Sequence, residues 1–82
     1  MIRVLFFAHL REALGAGVSL PFADDVATVA RLRDHLAARG DQWQTLATTR
    51  NLRAAVNQSM SAPDAAIRDG DEVAFFPPVT GG

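Results

Sequence analysis

Few residues in this 82-residue chain are of a type and spacing that could do chemistry. His9 and His35 are far apart in sequence, and with no cysteine to join them they form no recognisable metal-ligand spacing, so each reads as a surface or helix-flank residue. Asp24-Asp25 and Asp69, Asp71, Glu72 fall in turn-like stretches and read as solvated charges, because a pair of catalytic carboxylates needs a cleft between them. Gly15-Ala16-Gly17 is not followed by the rest of either nucleotide fingerprint. The absence of cysteine also excludes a disulfide framework, a thiolate metal site and a cysteine nucleophile. The remaining candidate is a main-chain group, the carboxylate that follows Gly81-Gly82.

The residues leading to that carboxylate suit it to delivery. Pro77 and Pro78 lack a backbone N–H and have a fixed φ, so they cannot continue a central strand and should lead the chain away in an extended, polyproline-like course. From Pro77 through Val79 and Thr80 to Gly82, an extended tail spans about 20 Å, enough to reach the bottom of a pocket in another protein. Gly81 and Gly82 carry no Cβ, so they fit a narrow channel and leave the terminal carbonyl open to attack. Glycines at a chain end can also mean only a frayed terminus. The apolar Phe75-Phe76-Pro77-Pro78-Val79 run argues against that, since a solvated tail favours polar and charged residues. The expected organisation is a folded domain over 1–76 and an extended tail over 77–82.

Composition narrows the remaining classes. The length allows one small domain, too small for a catalytic cleft of its own, and 49% hydrophobic residues support a globular fold. A net charge of -1 gives no electrostatic case for nucleic acid or an anionic membrane as partner. No apolar run approaches the roughly 18 residues of a membrane span, and Met1-Ile2-Arg3-Val4 runs straight into a strand without a leader, so the expectation is a cytoplasmic protein. All eight basic residues are arginine, which leaves no side-chain amine on which copies of the chain could be linked.

The elements that must position the tail follow from periodicity. Ile2 to Ala8 reads as a strand apolar on both faces, hence central, with Ile2, Val4 and Phe6 on one side and Arg3, Leu5 and Phe7 on the other. His9 to Leu14 makes a short helical turn closed by Gly15 and Gly17, and Val18 to Phe22 an edge strand because Pro21 cannot donate to a central ladder. Thr28 to Arg39 is the main helix, with Thr28 as N-cap, Val29, Leu32 and Leu36 on one face and Gly40 as the stop. Asp41 and Gln44 resemble a capping box for a second short helix carrying Trp43 and Leu46. Leu52 to Asn57 is a strand turned by Asn57-Gln58-Ser59. Met60 to Ala66 reads as a loop with at most a short strand near Ala66-Ile67. Asp69-Gly70 turns the chain into a last strand, Asp71 to Phe76.

The order strand, strand, helix, strand, strand predicts an α+β fold of the β-grasp, or ubiquitin-like, type: a mixed sheet, first and last strands parallel at its centre, the helix packed across one face. Phe7 and Phe76 then lie on the uncovered face beside the tail, with Met60 as a third member. The alternative is that a loop folds over them. An open sheet face normally needs polar residues unless something binds it, so an apolar patch here reads as a partner-binding surface.

With Val4-Leu5-Phe6-Phe7-Ala8, Ala54-Ala55-Val56-Asn57-Gln58, Asp69-Gly70-Asp71-Glu72-Val73 and the Phe75-Phe76-Pro77-Pro78-Val79-Thr80-Gly81-Gly82 ending in view, the chain resembles the small subunits of molybdopterin synthase. Gly-Gly alone is shared with thiamin sulfur carriers and ubiquitin-like modifiers; the longer ending is far more specific. The resemblance implies a non-catalytic, sulfur-donating subunit that binds no cofactor itself. A ubiquitin-activator-like adenylating enzyme would use ATP to convert the Gly82 carboxylate to an acyl-adenylate, and sulfur would replace AMP to give a thiocarboxylate. The tail would then enter the synthase large subunit, in a heterotetramer, and give its sulfur to cyclic pyranopterin monophosphate. Two transfers would complete the molybdopterin dithiolene of molybdenum cofactor biosynthesis. The rival readings are a carrier for thiamin or tRNA thiolation and a ubiquitin-like modifier.

Overall fold

The structure is a computed structural model, and residues 1–78 are described. The chain forms β1 (Ile2–Phe6), α1 (His9–Leu14), β2 (Gly17–Leu20), a 3₁₀ turn (Asp24–Val26), α2 (Val29–Ala37), a second 3₁₀ turn (Asp41–Gln44), α3 (Thr45–Thr48), β3 (Arg53–Val56), β4 (Ser59–Ser61) and β5 (Glu72–Phe76). The strands make one mixed sheet in the order β2-β1-β5-β3-β4. β1 and β5 pair in parallel, Val4 beside Val73 and Phe6 beside Phe75; the other pairings are antiparallel. This is the β-grasp arrangement that the order of apolar segments predicts.

One face of the sheet carries the core. Ile2, Val4, Phe6, Val73 and Phe75 point toward Leu10 of α1, Val29, Leu32 and Leu36 of α2 and Leu46 of α3, all buried. The Phe6 and Phe75 rings stack at 6.4 Å between centroids, and Trp43 meets Phe6 edge-on at 5.9 Å. Trp43 is half-buried and packs against this core, with the Arg39 guanidinium 4.8 Å above its ring. α2 starts as its sequence dictates: the Thr28 hydroxyl accepts from the Arg31 N–H at 3.1 Å, satisfying one of the first-turn donors.

Several local expectations are corrected. The stretch from Met60 to Ala66 is not all loop: Ser59–Ser61 is a strand against β3, and near Ala66 there is only a single bridge to Thr28. The hairpin is closed by Asn57 and Gln58, both at positive φ (50° and 70°), the geometry of a two-residue turn whose twist matches the strands. Asp41 and Gln44 form no capping box, because Asp41 itself sits at φ 50° and the turn that follows is 3₁₀, with no side-chain cap bond. β2 ends at Leu20, before Pro21, which cannot extend the ladder; it is nonetheless the edge strand expected. At its other end Gly17 is pressed against β1: a Cβ there would lie 2.4 Å from the Val4 carbonyl oxygen.

Candidate functional site

The candidate site comprises the base of the tail and the sheet face beside it. β5, from which the tail departs, is the central strand, flanked by β1 and β3. Phe76 ends it opposite Arg53, and the Phe7 N–H donates to the Phe75 carbonyl at 3.2 Å, extending the β1–β5 ladder to the point of departure. Pro77 and Pro78 are half-buried, so the first two tail residues still lie against the body and do not stand clear of it as expected. Val79, Thr80, Gly81 and Gly82, the reacting end of the proposed chemistry, lie outside the described residues.

Alternation along the strands defines the face opposite the helices. One row across the sheet runs Leu5, Ala74, Ala55, Met60; the next, nearer the tail, holds Phe76 and Arg53, with Phe7 just past the end of β1. Phe7 is 45% exposed and Met60 64%. Phe76 is only half-buried, because its central strand has neighbours on both sides. The structure therefore brings Phe7, Met60 and Phe76 onto one open face, and Met60 reaches it from a strand rather than a loop. The sequence reading had Leu5 on this side by alternation but missed Ala55 as a member of this surface; the pairing of β3 with β4 and β5 was the missing signal.

Polar residues tie the far end of the same strands. The Asn57 side chain donates to Asp71 Oδ1 at 3.0 Å and accepts from the Glu72 N–H at 3.0 Å, locking the β3–β4 turn to the start of β5. That bond, with the Arg68 N–H donating to the same carboxylate at 2.8 Å, holds the Asp71 carboxyl below its ordinary value of 3.8. Arg3 and Glu72 pair across β1 and β5 at 3.7 Å. His9 and His35 stand apart, His9 Nε2 being 3.1 Å from the Thr49 hydroxyl and His35 Nδ1 3.1 Å from Asp25. Among the described residues no His, Cys, Asp and Glu group could hold a metal ion, and no helix is long and apolar enough to cross a membrane. A groove at the sheet edge between α2 and β3–β4, with Val29, Ala54, Pro63 and Phe75 in its wall and Arg33, Arg53 and Met60 also lining it, has no carboxylate or histidine in its lining. It offers no acid–base pair.

The sequence pattern that defines the ThiS family matches residues 4–82. The chain belongs to the ThiS family. Two relatives align over the whole of both chains, 82 residues: the molybdopterin synthase sulfur carrier subunit of Escherichia coli (strain K12) at 51% identity and that of Haemophilus influenzae (strain ATCC 51907 / DSM 11121 / KW20 / Rd) at 45%. Among solved structures, the crystal structure of Haloferax volcanii small archaeal modifier protein 1 superimposes with a TM-score of 0.75 at 27% identity, over 95% of this chain and 97% of that one. The ThiS-family fold is thus the ubiquitin-like β-grasp seen here.

Proposed function

We propose that this chain is the sulfur carrier subunit of a molybdopterin synthase, acting through a thiocarboxylate at Gly82. The observation that carries the proposal is the end-to-end match to two relatives of that name, 51% and 45% identical. The structure supports the division of labour: the described residues offer an open apolar face and a tail rooted in the central strand, while pocket and acid–base groups come from partners. In the first stage the Gly82 carboxylate oxygen attacks the α-phosphate of ATP in an adenylating enzyme, releasing pyrophosphate. A sulfur nucleophile then displaces AMP from the acyl carbon and leaves the thiocarboxylate. In the second stage the tail enters the large subunit, and its sulfur, a better nucleophile than a carboxylate oxygen, attacks an electrophilic carbon of the pterin precursor with loss of an oxygen leaving group; water then cleaves the acyl carbon–sulfur bond, leaving the sulfur on the pterin and returning the Gly82 carboxylate. Phe7, Met60 and Phe76 grip the partner while Pro77, Pro78, Val79, Thr80 and Gly81 set the reach.

Intact-mass spectrometry of the chain purified with its adenylating enzyme, ATP and a sulfur donor tests this. Replacement of one terminal oxygen by sulfur adds about 16 Da at the reacting terminus, and removal of Gly82 is expected to abolish both the gain and sulfur transfer without changing the melting temperature. Full transfer with a blocked terminus would refute the proposal. A second reading, a protein modifier joined through Gly82 to lysines of other proteins, is favoured by the likeness to small archaeal modifier protein 1. It predicts covalent conjugates of higher mass in place of the small gain.

A further inference from the structure

Among the described residues, the apolar face carries one charge, that of Arg53, that makes no ion pair. Arg53 opens β3 directly opposite Phe76, and because Ala54 and Phe75 beside them are buried on the helix side, alternation turns Arg53 and Phe76 to the open face. Arg53 is exposed, and among the described residues it makes no ion pair and lies over no aromatic ring. The other charges of this face, Arg3 and Glu72, sit at its far end and neutralise each other at 3.7 Å. Glu72 lies four residues from Phe76 along β5, roughly 13 Å away, beyond reach of an ion pair with Arg53.

We propose that Arg53 is a specificity-determining residue of the docking face and pairs with an aspartate or glutamate of the synthase large subunit. The inference rests on the reading of this face as that subunit's binding surface. A partner covering Phe76 and Met60 also crosses Arg53, whose strand lies between theirs, and a desolvated charge with no counter-charge opposes binding strongly. A carboxylate matches the guanidinium fork with two parallel hydrogen bonds. The acceptor belongs to the partner protein rather than to the phosphate of the pterin precursor, because Gly82 is six residues beyond Phe76, a length of chain that can span up to about 20 Å. An acid at that position selects for this carrier and against one with an apolar or acidic residue at the start of β3.

The test is the dissociation constant of the full chain with its cognate large subunit, measured by calorimetry at low and high NaCl for wild type, Arg53→Met, Arg53→Lys and Met60→Ala. Arg53→Met, which keeps the apolar stem, is expected to weaken binding about 30-fold or more at low salt and to flatten its salt dependence. Arg53→Lys recovers part of the loss. Unchanged melting temperatures exclude misfolding at this exposed position. If Arg53→Met binds like wild type while Met60→Ala is weakened, the docking face stands and the role of Arg53 is overturned. If neither variant is weakened, the docking face itself is wrong and the inference falls with it.

Discussion

Replacing Met60 by alanine separates a docking role from a folding role, because this side chain is divided unequally between solvent and protein. Full burial of a methionine is worth about 2.5 kcal/mol. Met60 is 64% exposed, which leaves about 1.6 kcal/mol to be gained when a partner covers it and about 0.9 kcal/mol already realised on folding. Alanine retains part of each, so both are upper figures. The expected outcome is a dissociation constant for the cognate large subunit raised up to about 15-fold, with a loss of at most about 7 °C in melting temperature. Phe6→Ala is the contrast: Phe6 is 1% exposed and stacked on Phe75, so its loss should cost about 3–5 kcal/mol of folding stability. Titration calorimetry and urea denaturation of the same preparations give the two quantities. A Met60→Ala chain that binds normally, or that loses more stability than affinity, would refute the assignment of this face.

Phe7→Ala should weaken large-subunit binding by about tenfold from the same area argument, and Phe76→Ala by less, since Phe76 is the more covered of the two; calorimetry ranks them. Asp71→Asn probes the lowered carboxyl pKa. A folded-state pKa below the unfolded value contributes stability that is present above the unfolded pKa and is lost as pH falls through the folded one. The difference in urea midpoint between wild type and the variant should therefore be largest near neutral pH and shrink below about pH 4. Gly17→Ala should lower the melting temperature, because the new methyl would lie 2.4 Å from the Val4 carbonyl and must push β2 off β1, at a cost of about 1–3 kcal/mol.

What the sequence made legible was the part governed by strong apolar periodicity. Ile2, Val4 and Phe6 on one side with Leu5 and Phe7 on the other already required a central β1, and Val73 and Phe75 made β5 its match. Thr28, Val29, Leu32 and Leu36 read correctly as cap and buried face because each acts within one turn of its neighbours, whereas the helix ends at Ala37 with Ala38 as its C-cap, before the Gly40 stop expected, and Gly40 instead leads into the second 3₁₀ turn. Where tertiary contacts decide, the reading failed. Ser59-Met60-Ser61 has no β-branched residue and is only three long; it is a strand because Asn57 and Gln58 adopt positive φ and Asn57 is fastened to Asp71 and Glu72. Asp41 looked like a cap, but the chain reverses through it. The site divides the same way. Phe7, Phe76 and Leu5 followed from alternation alone, whereas the places of Arg53 and Ala55 needed the registers of β3 with β5 and β4.

The position of β5 has a mechanical consequence. A tug on Val79 or the residues after it is transmitted along β5, which is zipped on one side to β1 and on the other to β3. Such a load shears both ladders at once instead of unpeeling them bond by bond, the strongest orientation in which a small sheet can be pulled. A pull on the tail is therefore borne by two ladders together rather than by a single edge.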